Sequence, residues 1–110
     1  MTTAYKVLGQ AIPAANTNAD LYTVPESNAA VVSSITVCNQ AATSGKFRIG
    51  VRPGGIGISS NSYISYDTSI PANDTIILTL GMTLEANTVV TVYSFATASL
   101  SYNLFGSEIY

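Results

Sequence analysis

Short runs of Val, Ile, Thr and Tyr with a period of two fill this sequence, cut by turn-forming residues at intervals of roughly 8 to 12 positions. A period of two sends alternate side chains to opposite faces of an extended strand. One face of each run can then enter a core while the other meets solvent. No segment carries the 3.6-residue apolar stripe that an amphipathic helix needs, so helix is confined to a short turn. The pattern predicts an all-β chain.

The runs fall at residues 4–8, 21–24, 30–39, 46–52, 62–68, 75–80, 88–95 and 100–105. Pro25-Glu26-Ser27-Asn28, Pro71-Ala72-Asn73-Asp74 and Glu85-Ala86-Asn87 supply turn chemistry between them. About eight strands at this spacing predict a single antiparallel β-sandwich, jelly-roll-like in form. The chain has 110 residues, the size of one domain. Residues 1–19 are expected to form an N-terminal strand and extended arm of that domain, and residues 20–110 the sandwich. The arm is rich in small residues, suited to adding a strand to a neighbour.

Several strands specify their faces. Phe47, Ile49 and Val51 alternate with Lys46, Arg48, Gly50 and Arg52, giving one apolar and one basic face. Leu100, Tyr102 and Leu104 share a face; with Ile49 they are core candidates. In the 30–39 run, Val31, Ser33, Ile35 and Val37 are placed on one face and Val32, Ser34, Thr36 and Cys38 on the other. Tyr63 and Tyr66 fall on opposite faces of their strand. Gly81 is expected to end its strand and Gly106 to bend or bulge the last one, while the glycine-rich segment 54–61 reads as an exposed loop. Ile70 to Ile77 and Leu84 to Val90 echo one another in order (apolar, turn, Asn, Thr, apolar pair), which convergence on good turn chemistry explains.

The residue inventory also limits chemistry. With no histidine, the sequence lacks the usual general base near neutral pH and the commonest metal ligand. Cys38 is the sole cysteine, so no disulfide forms within the chain, and its strand context reads as a small buried apolar residue. Asn73-Asp74 reads as a turn and not as a calcium loop. Gly54-Gly55-Ile56-Gly57 lacks the following Lys-Ser/Thr and helix of a phosphate loop. No catalytic residue, cofactor or metal site is expected, and the chain reads as a non-enzyme.

Charge points to protein partners. Only 9% of residues are charged, against a typical share of about 25%. Such a surface has little electrostatic defence against association. The net charge is −2, and three of the four basic residues lie between positions 46 and 52, too few for a nucleic-acid surface. No signal peptide and no membrane-spanning run are predicted, which implies synthesis in a cytoplasm. Seven tyrosines suit interfaces, with an apolar ring and a hydroxyl that keeps a partner. Tyr5, Arg48, Arg52, Tyr63 and Tyr66 are the candidate interface residues.

Several stretches carry a resemblance: Tyr5-Lys-Val-Leu-Gly-Gln10, Asp20-Leu-Tyr-Thr-Val-Pro25, Val31-Val-Ser-Ser-Ile-Thr-Val-Cys-Asn39, Phe47-Arg-Ile-Gly-Val-Arg-Pro53, Ile70-Pro-Ala-Asn-Asp-Thr75 and Asn103-Leu-Phe-Gly-Ser-Glu108. Together they resemble small virion structural proteins of tailed bacteriophages, cyanophages especially, over nearly the whole chain. The resemblance implies a non-enzymatic, multi-copy virion component, with the major capsid protein or tail proteins as partners and a homo-oligomer, such as a trimer, as its state. A capsid decoration (cement) protein is the favoured placement. A tail, baseplate or fibre component in host attachment, and a carbohydrate-binding module, are the alternatives.

Overall fold

The structure, a computed structural model, describes residues 2–95 and 99–110, leaving the side chain of Leu80 aside. The described residues form strands β1 (Thr3–Ala11), β2 (Ala19–Thr23), β3 (Ala29–Asn39), β4 (Gly45–Arg52), β5 (Tyr63–Ile70), β6 (Thr75–Leu84), β7 (Val89–Ser94) and β8 (Leu100–Ile109). Two 3-10 turns, Pro53–Gly55 and Ser60–Ser62, lie between β4 and β5. One sheet has the order β1-β8-β3-β6 and the other β2-β7-β4-β5. Every pairing is antiparallel, and the chain doubles back so that β1 meets β8, β2 meets β7, β3 meets β6 and β4 meets β5. Two antiparallel sheets sharing one apolar core are compatible with a β-sandwich.

The turns form where local chemistry allows them. Asn73 and Asn87, at matching places in the two echoing segments, both adopt positive φ (55° and 66°), a conformation asparagine tolerates better than most residues. Ser27 does the same after Pro25, where the Asn28 amide closes the turn onto the Pro25 carbonyl at 3.1 Å. Asn39 fastens the neighbouring loops: its buried amide donates to the carbonyls of Thr43 (2.9 Å) and Pro71 (3.2 Å) and accepts from the Ala41 amide (2.9 Å).

Between the sheets lie Val32, Ile35, Val37, Phe47, Ile49, Val90, Leu100, Tyr102 and Leu104, all fully buried. Each removes apolar surface worth about 2 kcal/mol from water. Phe47 and Tyr102 meet edge to face, with ring centroids 6.4 Å apart. The Tyr102 hydroxyl donates to the Tyr93 carbonyl (3.2 Å), so it accepts from Ser94 (2.8 Å), and burial pushes its pKa up to about 12.

Three details differ from the sequence-based expectations. On β3, Val32 is buried with Ile35 and Val37, while Val31 is not. Against β8, Val32 faces Gly106 and Ser34 faces Phe105, so Ser33 is an extra residue that reverses the alternation. The slip also leaves Cys38 partly exposed, not buried. Gly106 is required opposite this bulge, since a Cβ there would stand 2.1 Å from the Val31 carbonyl oxygen. At Gly81, β6 continues instead of ending: three steps from Thr79 to Met82 span two on β3, so the glycine sits in a bulge of a strand reaching Leu84. Within the N-terminal segment, Thr3–Ala11 form edge strand β1, hydrogen-bonded along β8 and contributing Leu8 to the core.

Candidate functional site

Strand β4 buries Phe47 and Ile49, so the intervening Arg48 must project from the outer face of the β2-β7-β4-β5 sheet. Tyr93 lies directly opposite on β7, with Phe95 two residues beyond; β5 supplies Tyr63 and Tyr66. The guanidinium carbon stands 4.2 Å from the Tyr66 ring centroid, 4.7 Å from Phe95, 5.1 Å from Tyr93 and 5.9 Å from Tyr63. Its Nε donates to Asp67 Oδ1 at 2.6 Å. That bond, foremost, holds the Arg48 pKa above its ordinary value. A cation surrounded by ring faces is favoured by their quadrupoles.

The two β5 tyrosines were expected on opposite faces. They pack together instead, with ring centroids 4.9 Å apart and planes at 70°. The physical reason is that β5 spends extra residues against β4: Phe47 faces Thr68, Ile49 faces Ser65 and Gly50 faces Tyr63. Asp67, at φ 51°, makes part of this distortion, and alternation no longer governs the strand.

Arg52 also leaves this face, its Nη2 lying 3.8 Å from Asp20 Oδ1, while its buried Nε finds no hydrogen-bond partner among the described residues. The segment expected as an exposed loop is exposed along most of its length, yet it folds back on the sheet. Ile58 lies above Gly50, where an added Cβ would be 2.8 Å from the Ile58 Cδ1, and Ser62 is buried. A capping box between Ser59 and Ser62 holds the turn. Between this turn and the aromatic group lies an open cleft of about 580 Å³ lined by Ser59, Ser60, Tyr63 and Tyr66. Tyr66 is 57% exposed there. With Arg48 paired to Asp67, the cleft offers aromatic faces and hydroxyls: stacking and hydrogen bonding.

Of the five candidate interface residues, Arg48, Tyr63 and Tyr66 thus meet, and Arg52 shares their strand face. Tyr5 is elsewhere, 86% exposed on the outer face of the β1-β8-β3-β6 sheet. Val7 (47%) and Ile77 (65%) are exposed on that face too, beside Thr36, Phe105 and Ser107 in the register. The only charged residues in its four strands, Lys6 and Glu108, belong to the inner side: Glu108 has the parity of Leu104, and Lys6 pairs with Gly106. This outer face therefore carries no charged side chain.

The inner pair makes a clamp that sequence reasoning missed. The buried Glu108 carboxylate binds Lys6 Nζ at 2.7 Å and accepts a hydrogen bond from the Tyr22 hydroxyl on β2, joining the sheets. The Lys6 bond, then the Tyr22 bond, hold the Glu108 carboxyl below its ordinary pKa; burial, then Glu108, raises that of Tyr22. Asp67, Tyr93 and Phe95 were missed as well. Only the i, i+2 spacing of Tyr93 and Phe95 hinted at a shared face.

Among the described residues, no three of His, Cys, Asp and Glu gather to hold a metal ion. Compared with models of known protein families and with curated proteins, the sequence gives no match.

Proposed function

We propose that the chain is a non-enzymatic structural component of a tailed-bacteriophage particle, a jelly-roll capsid decoration protein that sits on the shell in many copies. The observation that carries this reading is the uncharged outer face of the β1-β8-β3-β6 sheet, where Tyr5, Val7 and Ile77 stand exposed. Covering such a face with an equally uncharged protein surface releases water from apolar groups and strands no charge. The nested strand orders β1-β8-β3-β6 and β2-β7-β4-β5 support the jelly roll, an architecture found in capsid and lectin domains alike. Because a fold serves many functions, the face, and not the fold, carries the assignment.

Localisation in purified particles tests it. Labelling on the capsid at a copy number on the order of hundreds is expected, because shell symmetry multiplies every contact. Copy numbers of roughly tens, at the tail, would move the protein to the tail or baseplate. Absence from particles, or turnover of a substrate, ends the proposal.

The cleft beside Tyr66 favours a second reading, host attachment through surface polysaccharide. A sugar ring stacks its C–H face on an aromatic ring, and Ser59 and Ser60 offer hydroxyls to its rim. Binding of host polysaccharide, lost in Tyr66→Ala, would support it.

A further inference from the structure

Each sheet has two edge strands, and an exposed edge is a row of unpaired N–H and C=O groups that invites another strand. Three of the four edges are blunted. β1 carries Lys6 and a register shift near Leu8. β2 has five residues, Asp20 and a shift of its own. β5 is distorted twice and holds Asp67 in a left-handed conformation. β6 differs: its ten residues include no charged side chain and no proline. Its first half, Thr75–Thr79, pairs with β3 in unbroken register, leaving the bulge to the second half. An edge this regular and uncharged is an aggregation hazard unless something covers it.

The sequence of that edge indicates what covers it. Thr75-Ile76-Ile77-Leu78-Thr79 reads nearly the same in both directions, the property an antiparallel pairing of identical strands requires. We infer that β6 pairs antiparallel with β6 of a second copy of this chain, across a two-fold axis at Ile77. In that register Thr75 faces Thr79, Ile76 faces Leu78 and Ile77 faces its own counterpart. These are hydroxyl–hydroxyl and β-branched pairs of the kind that stabilise adjacent strands. Asp74 and Glu85 flank the strand, and neither meets its counterpart. The product is one continuous sheet, β1-β8-β3-β6 followed by its mirror order, joining two uncharged faces into one surface. A two-fold contact of this kind is isologous and closes at the dimer. The inference rests on the multi-copy reading above and adds the surface through which copies meet.

The test uses the full chain with two double variants, Ile77→Lys/Thr79→Lys and Ile77→Glu/Thr79→Glu. Both positions are exposed, so folding is expected to survive, with circular dichroism as the check. In sedimentation at ~0.1 mM the wild type should be dimeric, and each variant should dissociate at least about tenfold more readily. An equimolar mixture of the two variants should dimerise again, since Lys then faces Glu. A second measurement needs only wild-type protein: amide exchange over Thr75–Thr79 should slow as concentration rises. A wild type that stays monomeric, variants that remain dimeric, or a mixture that stays monomeric overturns the pairing. None of these results bears on whether the protein is found in particles, which localisation alone decides.

Discussion

The two outer faces of this molecule are built on the same strand alternation and end with opposite character. On the β2-β7-β4-β5 sheet both arginines lean on neighbours of the same chain: Arg48 is held by Asp67 and four rings, Arg52 lies toward Asp20, and Ile58 covers Gly50. On the β1-β8-β3-β6 sheet the charged pair is turned inward and the outside is left bare. The first face answers much of its own charge; the second carries none to answer. The contrast teaches that sparse charge matters less than where the fold spends it.

The sharpest way to break this comparison is to disturb each sheet through a glycine. Gly106→Ala should cost more than about 3 kcal/mol, because its Cβ meets the backbone of Val31 and nothing nearby can retreat. Gly50→Ala should cost only about 1 kcal/mol, since it presses on the end of the Ile58 side chain. Equal costs in chemical denaturation would mean the cover on the first face is as rigid as a strand.

Next in size is Arg48→Ala, which removes the group that gathers four rings and should lower the melting temperature by about 5 °C. Arg48→Lys should recover little of that loss, because an ammonium lacks the planar fork that stacks between rings and grips Asp67. Full recovery would show that charge alone, and not shape, organises the face.

Smaller still is the pH effect of the inner clamp. The folded-state pKa of Glu108 is lowered, so its stabilisation is complete above the unfolded value of about 4.5 and is lost as pH falls through the folded value. The melting temperatures of wild type and Glu108→Gln should therefore differ most above the unfolded value and converge as pH falls through the folded one. A gap that persists in acid would remove the carboxylate as its cause.

The smallest effect belongs to the bare face. Ile77→Ser should change the stability of the isolated chain by less than about 0.5 kcal/mol, because its side chain is already mostly in water. A larger loss under dilute, monomeric conditions would mean the face is supported from within.

Much of this architecture is legible in the sequence. Leu100, Tyr102, Leu104, Phe47 and Ile49 lie on unbroken alternation, and all are buried where the pattern puts them. Legibility failed wherever a bulge changed the parity: Val31 and Val32 exchanged places, and Tyr63 and Tyr66 met on one side. A bulge answers to the partner strand, and nothing in a single strand's residues marks which of two neighbours will be the extra one. The aromatic group around Arg48 was half visible for the same reason. Arg48, Tyr63 and Tyr66 are close in sequence, whereas Tyr93 and Phe95 arrive only through pairing with β7.

Alone, the sequence determined that this chain would be strands and turns, that its core would be aliphatic with a few aromatic rings, and that few charges would be left for its surface. These follow from local periodicity and composition, which need no knowledge of neighbours. Which strand lies beside which, which glycine must have no Cβ and which face receives the charges were decided by tertiary structure. Such outcomes depend on register between segments as far apart as Lys6 and Glu108, and register exists only once the sheets have formed.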